Sequence, residues 1–471
     1  MQQVQVRAEP GSFRDRDSRV FVGPEGVFRA LSPAGAADWE KLAGSALFRT
    51  GVAEGRLVGT EAVDVAPPPE ILPEGAAVVL RHERIPFVSY PYEWTFGMLR
   101  DAAILHLDLI DGALGEGMTL KDASPYNVQW RGATPVFTDI GSFEVLRRDE
   151  PWVGYRQFCT LFLYPLMLQA FRGVPFQPWL RGSLEGITPA QMAGLLTGRD
   201  RFRRGVLTHV ALHARLERKH ASDSRREIRK DLRAAGFKPE IVRANVRRMR
   251  KLVERLRWTP GETAWTGYGA DRGYADEDRA AKDRFVEEAA SARRPRLAWD
   301  IGTNDGAFAR LVAPHAECVV AMDFDQETVE HLYRALREEG DRTILPLVVD
   351  ALDPSPARGW RGAERGTLGQ RGTPDLTLAL ALVHHLSITG NVPLDDVVEW
   401  LAGLSGTLVV EFPTRDDPMV QRLLDAKEDG AHPDYDLERF ERALGERLDV
   451  QRRLALPSGT RVLFEATARE A

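Results

Sequence analysis

The sequence predicts an α/β chain. An open, doubly wound parallel sheet fills its C-terminal half, an α+β unit comes first, and a basic helical stretch lies between. Three observations carry this. Residues 297–325, LAWDIGTNDGAFARLVAPHAECVVAMDFD, read as a buried strand, a glycine-punctuated turn, a helix and a second buried strand. Further strand-like runs follow in order: VVDA at 348–351, LALALVHHL at 378–386 and LVVEFPTRDDPMV at 408–420. Before residue 200, short β-like runs alternate with helical periodicity, as in Phe96, Leu99, Ala103, Leu107, Ile110 and Leu114.

In chain order, RVFVG and GVFRAL read as strands and 36–49 as a helix, followed by the proline cluster 67–69. A strand, AVVLRHERI, begins near residue 76, and the amphipathic helix spans 95–114. A loop, LKDASPYN, precedes a hairpin made from VQW and PVFTDI. Helices dominate from 155 to about 257, and 261–278 reads as a connecting loop rich in Gly and aromatics. Residues 357–374 read as an exposed arm inserted before the fourth strand of the C-terminal sheet. The resulting division is 1–200, 201–264 and 265–471, in keeping with a chain of 471 residues, too long for one core.

The turn after the first of these strands is chemically informative. Gly302 and Gly306 let a ligand approach backbone where a side chain would block it, and Asp323 closes the second strand where ribose hydroxyls can be bound. The turn is Gly-Thr-Asn-Asp-Gly, so the middle glycine of a dinucleotide fingerprint is absent. Asp300, two residues before Gly302, would repel a pyrophosphate and welcome a cationic ligand.

The ordered set D-I-G-T-N-D-G, V-V-A-M-D, V-V-D-A and LALALVHHL resembles the class I S-adenosylmethionine-dependent methyltransferases, over about 265–471. The later pieces resemble a bacterial methyltransferase family named after nodulation proteins. That resemblance implies a Rossmann-like sheet of seven strands and S-adenosylmethionine as cofactor, a ligand with a sulfonium and an ammonium but no phosphate. It implies that Asp300 and the turn Gly302, Asn304, Gly306 receive the methionine end, and that Asp323 takes the ribose hydroxyls. Asp350 would face the adenine amino group, or is a surface loop acid. Asp325 reads as the cap of the next helix. His384 or His385, after the fourth strand, could deprotonate an oxygen or nitrogen acceptor, or one packs on the cofactor while the other bonds backbone. Glu411, Asp416 and Asp417 are further acid–base candidates. Trp265, Tyr268, Tyr274 and Lys282 could roof the cofactor or cover its carboxylate, or belong to the core.

A second constellation lies upstream. Asp122 and Asn127 have the D-x-x-x-x-N spacing of a kinase catalytic loop, and Asp139 follows at the end of PVFTD, giving hard oxygen ligands suited to magnesium. Residues 12–200 thus resemble a protein-kinase-like or aminoglycoside-kinase-like domain. They depart from it at Leu120, where the loop histidine would stand, and in lacking a glycine-rich loop. Arg29 takes the place of the strand lysine, with Glu40 as its possible helix partner, and Arg does not substitute freely for Lys. The resemblance implies a degenerate nucleotide and magnesium site. The alternative is that Asp122 caps a turn and Asp139 satisfies a buried loop.

Composition bounds the rest. Apolar residues make up 43 % and charged residues 28 %, ordinary values for a soluble globular protein. The longest largely apolar run, 158–171, contains Pro165 and Gln169 and is too short to span a bilayer. With only Cys159 and Cys318, no secretory signal and no His/Cys cluster, a cytoplasmic protein with no disulfide framework and no metal is expected. Residues 201–260 hold 19 Lys and Arg against 6 Asp and Glu, although the whole chain carries −6. That block faces an anionic partner or is a solvated helix face. The expectation is an enzyme methylating O or N of an unidentified acceptor, a small molecule or saccharide before nucleic acid, with the N-terminal half presenting substrate. The alternatives are a phosphotransferase using the upstream half and an RNA methyltransferase docking through the basic block.

Overall fold

The computed structural model describes residues 7–469 apart from 24–25, 66, 68–70, 72–74, 148–151, 220–237, 262–275, 405 and 429. The N-terminal half opens with five strands: β1 (Arg7–Ala8), β2 (Ser18–Gly23), β3 (Gly26–Leu31), β4 (Thr60–Val63) and β5 (Val78–His82). They form an antiparallel sheet in the order β1-β2-β3-β5-β4. Between β3 and β4 the single helix expected over 36–49 is two, Pro33–Ala43 and Ala46–Ala53. Ser45 accepts the Phe48 N–H through its side chain and so starts a new helix in mid-run.

The helix Phe96–Gly115 is the axis of this half, capped by Thr95 and buried along most of its length. Strands β6 (Met118–Leu120) and β9 (Phe143–Val145) pair beside it, and β7 (Val128–Arg131) and β8 (Thr134–Phe137) form a hairpin. The helix Pro239–Arg255 lies on it with Val242, Val246, Met249 and Val253 inward, a 3.6-residue pattern. Arg243 and Arg247 both bind Asp111 (2.7 and 2.9 Å), and Arg250 binds Asp108. Three arginines of the basic block are therefore neutralised within the chain.

The C-terminal sheet contains β10 (Leu297–Ile301), β11 (Cys318–Asp323), β12 (Ile344–Val348), β13 (Leu376–Ala379), β14 (Thr407–Pro413), β15 (Leu448–Ala455) and β16 (Arg461–Ala468). Their order is β12-β11-β10-β13-β14-β16-β15, and β16 alone runs antiparallel to its neighbours. The first five strands are parallel and almost wholly buried, as apolar runs such as LTLA and LVV require.

The N-terminal half seats against the β12 edge, and the two halves share one apolar core. Ala133 N–H donates to the Asp341 carbonyl (3.1 Å). The buried Glu330 carboxylate accepts the Gly97 N–H (2.8 Å), placing a negative charge on the start of the helix Phe96–Gly115. Tyr333 packs edge-on against Trp130 and donates to Asp101 (2.8 Å). Residues 357–374 are exposed over about half their length, Trp360 among them, as the expected arm would be. Glu364, Leu368 and the Arg371 side chain are buried, and arginines on the arm stack on tyrosines of the N-terminal half.

Tyr333 ties the halves at their centre, so Tyr333→Ala should lower unfolding free energy by about 3–5 kcal/mol, the range for emptying a large aromatic site. Urea unfolding followed by tryptophan fluorescence measures this.

Candidate cofactor and acceptor site

The site forms where β10, β11, β12 and β13 end. Asp300 sits near the end of β10, fully buried, and accepts the Thr303 hydroxyl (2.6 Å). Gly302, Asn304 and Gly306 all have left-handed backbone, with φ of 78°, 51° and 77°. A Cβ on Gly306 would come within 2.6 Å of Leu332 Cδ1, so conformation and space both require glycine there. The turn is pinned to β11 because the Gly302 and Thr303 N–H groups share the Met322 carbonyl (2.8 and 2.9 Å). The Asp323 carboxylate accepts Asn304 N–H with one oxygen and Asp325 N–H with the other, each at 3.0 Å. Asp325 caps the helix Gln326–Glu339 through Glu327 and Thr328 N–H groups. Asp350 is exposed just past β12 and accepts the Leu352 N–H (2.9 Å).

Burial pushes Asp300 up to about 6, against its bond from Thr303 and assisted by the neighbouring Asp323. Burial also raises Asp323, against its backbone hydrogen bonds. Among the described residues neither carboxylate forms an ion pair, so the pocket presents negative charge.

Past β13 the chain turns at Ala381, whose φ of 49° is unusual for a residue with a Cβ. His384 follows, and His385–Thr389 is a π-helical turn. Backbone strain and π turns concentrate at functional sites. His384 is 1 % exposed, and neither of its ring nitrogens has a partner among the described residues. The two imidazoles lie 4.1 Å apart. Burial, reinforced by Arg461, lowers His385 to about 4. Burial and then the neighbouring His385 lower His384 well below its usual range. Both rings are neutral near pH 7.

Beneath them runs a buried charge network. Lys282 Nζ lies 2.5 Å from Glu411, and Arg461 reaches both Glu411 (3.3 Å) and Asp417 (2.6 Å). Burial raises Glu411, but Lys282 and Arg461 outweigh it and hold the carboxyl below its ordinary value. Glu411 and Asp417 are engaged in ion pairs, with Asp417 also capping Pro418–Asp425, while Asp416 is exposed. Lys282 is committed to Glu411. Trp265, Tyr268 and Tyr274 lie outside the described residues. Sequence reasoning missed Arg461, which comes from an antiparallel strand with no motif, and Ala381, whose conformation no residue type announces.

In the N-terminal half, the Thr138 N–H donates to the Asn127 carbonyl (2.8 Å) and ties the 122–127 loop to the end of β8. Burial and then Asp139 raise Asp122 to about 6. Arg29 pairs with Asp139 (2.9 Å) and also binds Ser18 and His82. Glu40 is not among its partners in the described residues, because β3 directs Arg29 toward Asp139.

Sheet order, glycine turn and strand-ending acid together define a class I methyltransferase architecture for the C-terminal half. No family model matches the chain. The nodulation protein NoeA of Rhizobium meliloti (strain 1021) is 34 % identical over 458 residues, covering 96 % of this chain and 94 % of that protein. The chain belongs to the NoeA nodulation protein family. Similar solved structures include the N-methyltransferase NodS from Bradyrhizobium japonicum WM9, 14 % identical over 41 % of this chain and 98 % of that one, TM-score 0.31. Another is the magnesium protoporphyrin IX methyltransferase ChlM from Synechocystis PCC 6803 with bound S-adenosylhomocysteine. It is 16 % identical over 44 % of this chain and 96 % of that one, TM-score 0.32. Likenesses of this degree carry no weight for function.

A carboxyl raised by folding favours the folded state while protonated. Its contribution is present below the unfolded value near 4 and is lost as pH rises through about 6. Between pH 4 and 6, wild-type stability should therefore fall relative to Asp300→Asn. Denaturation midpoints of the two proteins across that range measure the difference.

Proposed function

We propose that this protein is a cytoplasmic S-adenosylmethionine-dependent methyltransferase acting on oxygen or nitrogen of a small-molecule or saccharide acceptor. The observation that carries the reading is the pair Asp300 and Asp323 around a left-handed glycine turn at the carboxyl ends of β10 and β11. Two carboxylates without an ion pair among the described residues suit a ligand with cationic groups and ribose hydroxyls, and do not suit a pyrophosphate. When bound, S-adenosylmethionine supplies a methyl group activated by the positive sulfur.

The chain's own residues then have separate tasks. Asp300 and the backbone of 302–306 hold the methionine end, and Asp323 binds the ribose hydroxyls by charge-assisted hydrogen bonds. Asp350 faces the adenine edge. As the acceptor's lone pair bonded the methyl carbon, the carbon–sulfur electron pair would stay with sulfur, and the acceptor's proton would leave for a neutral ring nitrogen. His385, uncharged above about pH 4, is assigned that role, and His384 supports it from beneath. The Lys282–Glu411–Arg461–Asp417 network holds β14 and β16 together under the histidines.

For the N-terminal half we infer a degenerate kinase-like domain. Its support is the strand order β1-β2-β3-β5-β4, followed by Asp122, Asn127 and Asp139 on neighbouring loops. Arg29 occupies the Asp139 carboxylate that a phosphate-bound cation would need, which argues against phosphoryl transfer. The pairing of Arg243, Arg247 and Arg250 with Asp108 and Asp111 favours a small acceptor over RNA.

Calorimetric titration with S-adenosylhomocysteine, and separately with Mg-ATP, tests these assignments. Asp323→Ala should weaken S-adenosylhomocysteine binding about 100-fold, the loss of two hydrogen bonds to a charged group. Asp139→Ala should leave that affinity unchanged. Equal loss in both variants, or binding of Mg-ATP alone, would overturn the assignment.

A further inference from the structure

We propose that Glu93, in the N-terminal half, is a positioning residue for the cofactor pocket, because its carboxylate fastens both feet of the 355–371 arm. The inference rests on the methyltransferase reading for its affinity readout, though its structural part stands apart from it.

The chain leaves the sheet after Val348, passes Asp350 and returns at Leu376, the start of β13. The arm closes on itself through two short 3-10 turns and a bridge between Arg358 and Arg365, and contacts with other parts of the chain fix where it stands. One side chain supplies the central contact. Glu93 Oε1 accepts the Ser355 hydroxyl (2.5 Å) at the first foot and Arg371 Nη2 (2.5 Å) at the second. Glu93 Oε2 accepts Arg371 Nη1 (2.8 Å) and its own loop's Tyr90 N–H (2.9 Å). The pair is sealed from water, with side chains 1 % and 4 % exposed. Arg371 also donates to the Val88 carbonyl (2.8 Å) and stacks on Tyr90 and Phe87. A bidentate arginine–carboxylate contact is directional, so it sets where each foot stands as well as holding it.

The middle of the arm is held separately. Arg14 pairs with the buried Glu364 (2.5 Å), Arg358 donates to the Leu180 carbonyl (2.7 Å) and lies over Tyr92, Gly366 N–H donates to the Tyr90 hydroxyl (3.0 Å), and Arg365 lies over Tyr126. These contacts could fix the arm's middle without fixing its feet. From outside the arm, Glu93 alone among the described residues binds both.

The feet matter because of what they adjoin. Ser355 is five residues past Asp350, and Arg371 is five before Leu376, whose strand leads to Ala381 and His384. Leu352 N–H donates to the Asp350 carboxylate (2.9 Å) and Asp353 N–H to the Asp350 carbonyl (3.2 Å), so the first foot follows directly on the hydrogen-bonded turn that carries Asp350. Between Asp350 and Ser355 the other tether from the N-terminal half is Arg181, which binds Asp353 and the Pro354 carbonyl at the surface. The N-terminal half thereby builds the adenine side of the pocket from outside the sheet.

Three variants test this: Ser355→Ala, which frees one foot, Glu93→Gln, and the double variant Glu93→Gln/Arg371→Met. The double variant removes the buried charge that Glu93→Gln alone would strand, so it folds even if the single variant does not. Amide hydrogen exchange and S-adenosylhomocysteine affinity are measured well below each variant's unfolding temperature. We expect faster exchange at 349–353 and 372–376, with 297–301 and 96–115 unchanged. S-Adenosylhomocysteine affinity should fall about threefold for Ser355→Ala and about tenfold for the double variant, as expected if the bound geometry becomes a minor state. A purely structural role would accelerate exchange everywhere and leave affinity unmoved. Unchanged exchange at both feet, or loosened feet with full affinity, overturns the proposal. If the wild type binds no S-adenosylhomocysteine, the methyltransferase reading fails instead. Exchange at the feet then decides whether Glu93 positions this segment.

Discussion

An open parallel sheet has two edges, and the way each is closed governs the rest of this protein. Unpaired strand edges invite association, and proteins cover or blunt them. The β15–β16 edge is blunted by charge: Arg452 and Arg453 alternate along β15 beside a bulge at Val450, and both reach carboxylates on neighbouring elements. The β12 edge is apolar, carries Pro346, and is covered by the N-terminal half. Because β12 also delivers Asp350, covering that edge brings the N-terminal half to the pocket. The Gly97–Glu330 bond, Tyr333 and the arm contacts are all consequences of this one seating.

The distribution of buried charge follows a matching division. Under the histidines, positive and negative groups are paired within the chain: Lys282 with Glu411, and Arg461 with Glu411 and Asp417. Removing one partner of such a set would leave a stranded charge, so the network is rigid by necessity. Burial keeps the histidines neutral, and the positive charge of Arg461 reinforces it. Among the described residues, the carboxylates at the glycine turn receive hydroxyl and backbone donors, which fix their direction without cancelling their charge. One half of the site is electrostatically closed, and the other is left to a ligand. In the N-terminal half, Arg29 closes Asp139 in the first manner.

Much of the C-terminal half was legible in sequence because its signals are local. A buried strand is a short apolar run. The left-handed turn needs Gly302 and Gly306, and the helix after Asp323 begins with its cap at Asp325. Asp300, Asp323 and Asp350 could be assigned to the carboxyl ends of strands by counting along those runs. The helix Phe96–Gly115 was equally plain from its periodicity. Arg29 and Asp139 were each picked out, but their mutual pairing was not, since it depends on how β3 lies against a loop more than a hundred residues later. The arm was read as exposed because its glycines, arginines and glutamate match a solvated loop, and much of it is. Only the tyrosines opposite make its arginines contacts with the N-terminal half.

What the sequence determined by itself was the run of strands β10 to β14, the helix 96–115, and the glycine turn with the acids beside it. Those depend on backbone conformation and on side-chain spacing within a few residues. What only the tertiary structure decided was partnership across long separations: Glu93 with Ser355 and Arg371, Lys282 with Glu411, Arg461 with Asp417, and Glu330 with the Gly97 N–H. A charged residue reads the same in sequence whether it meets water or a counter-charge. Burial, which makes the difference energetically large, exists only once the two halves have packed.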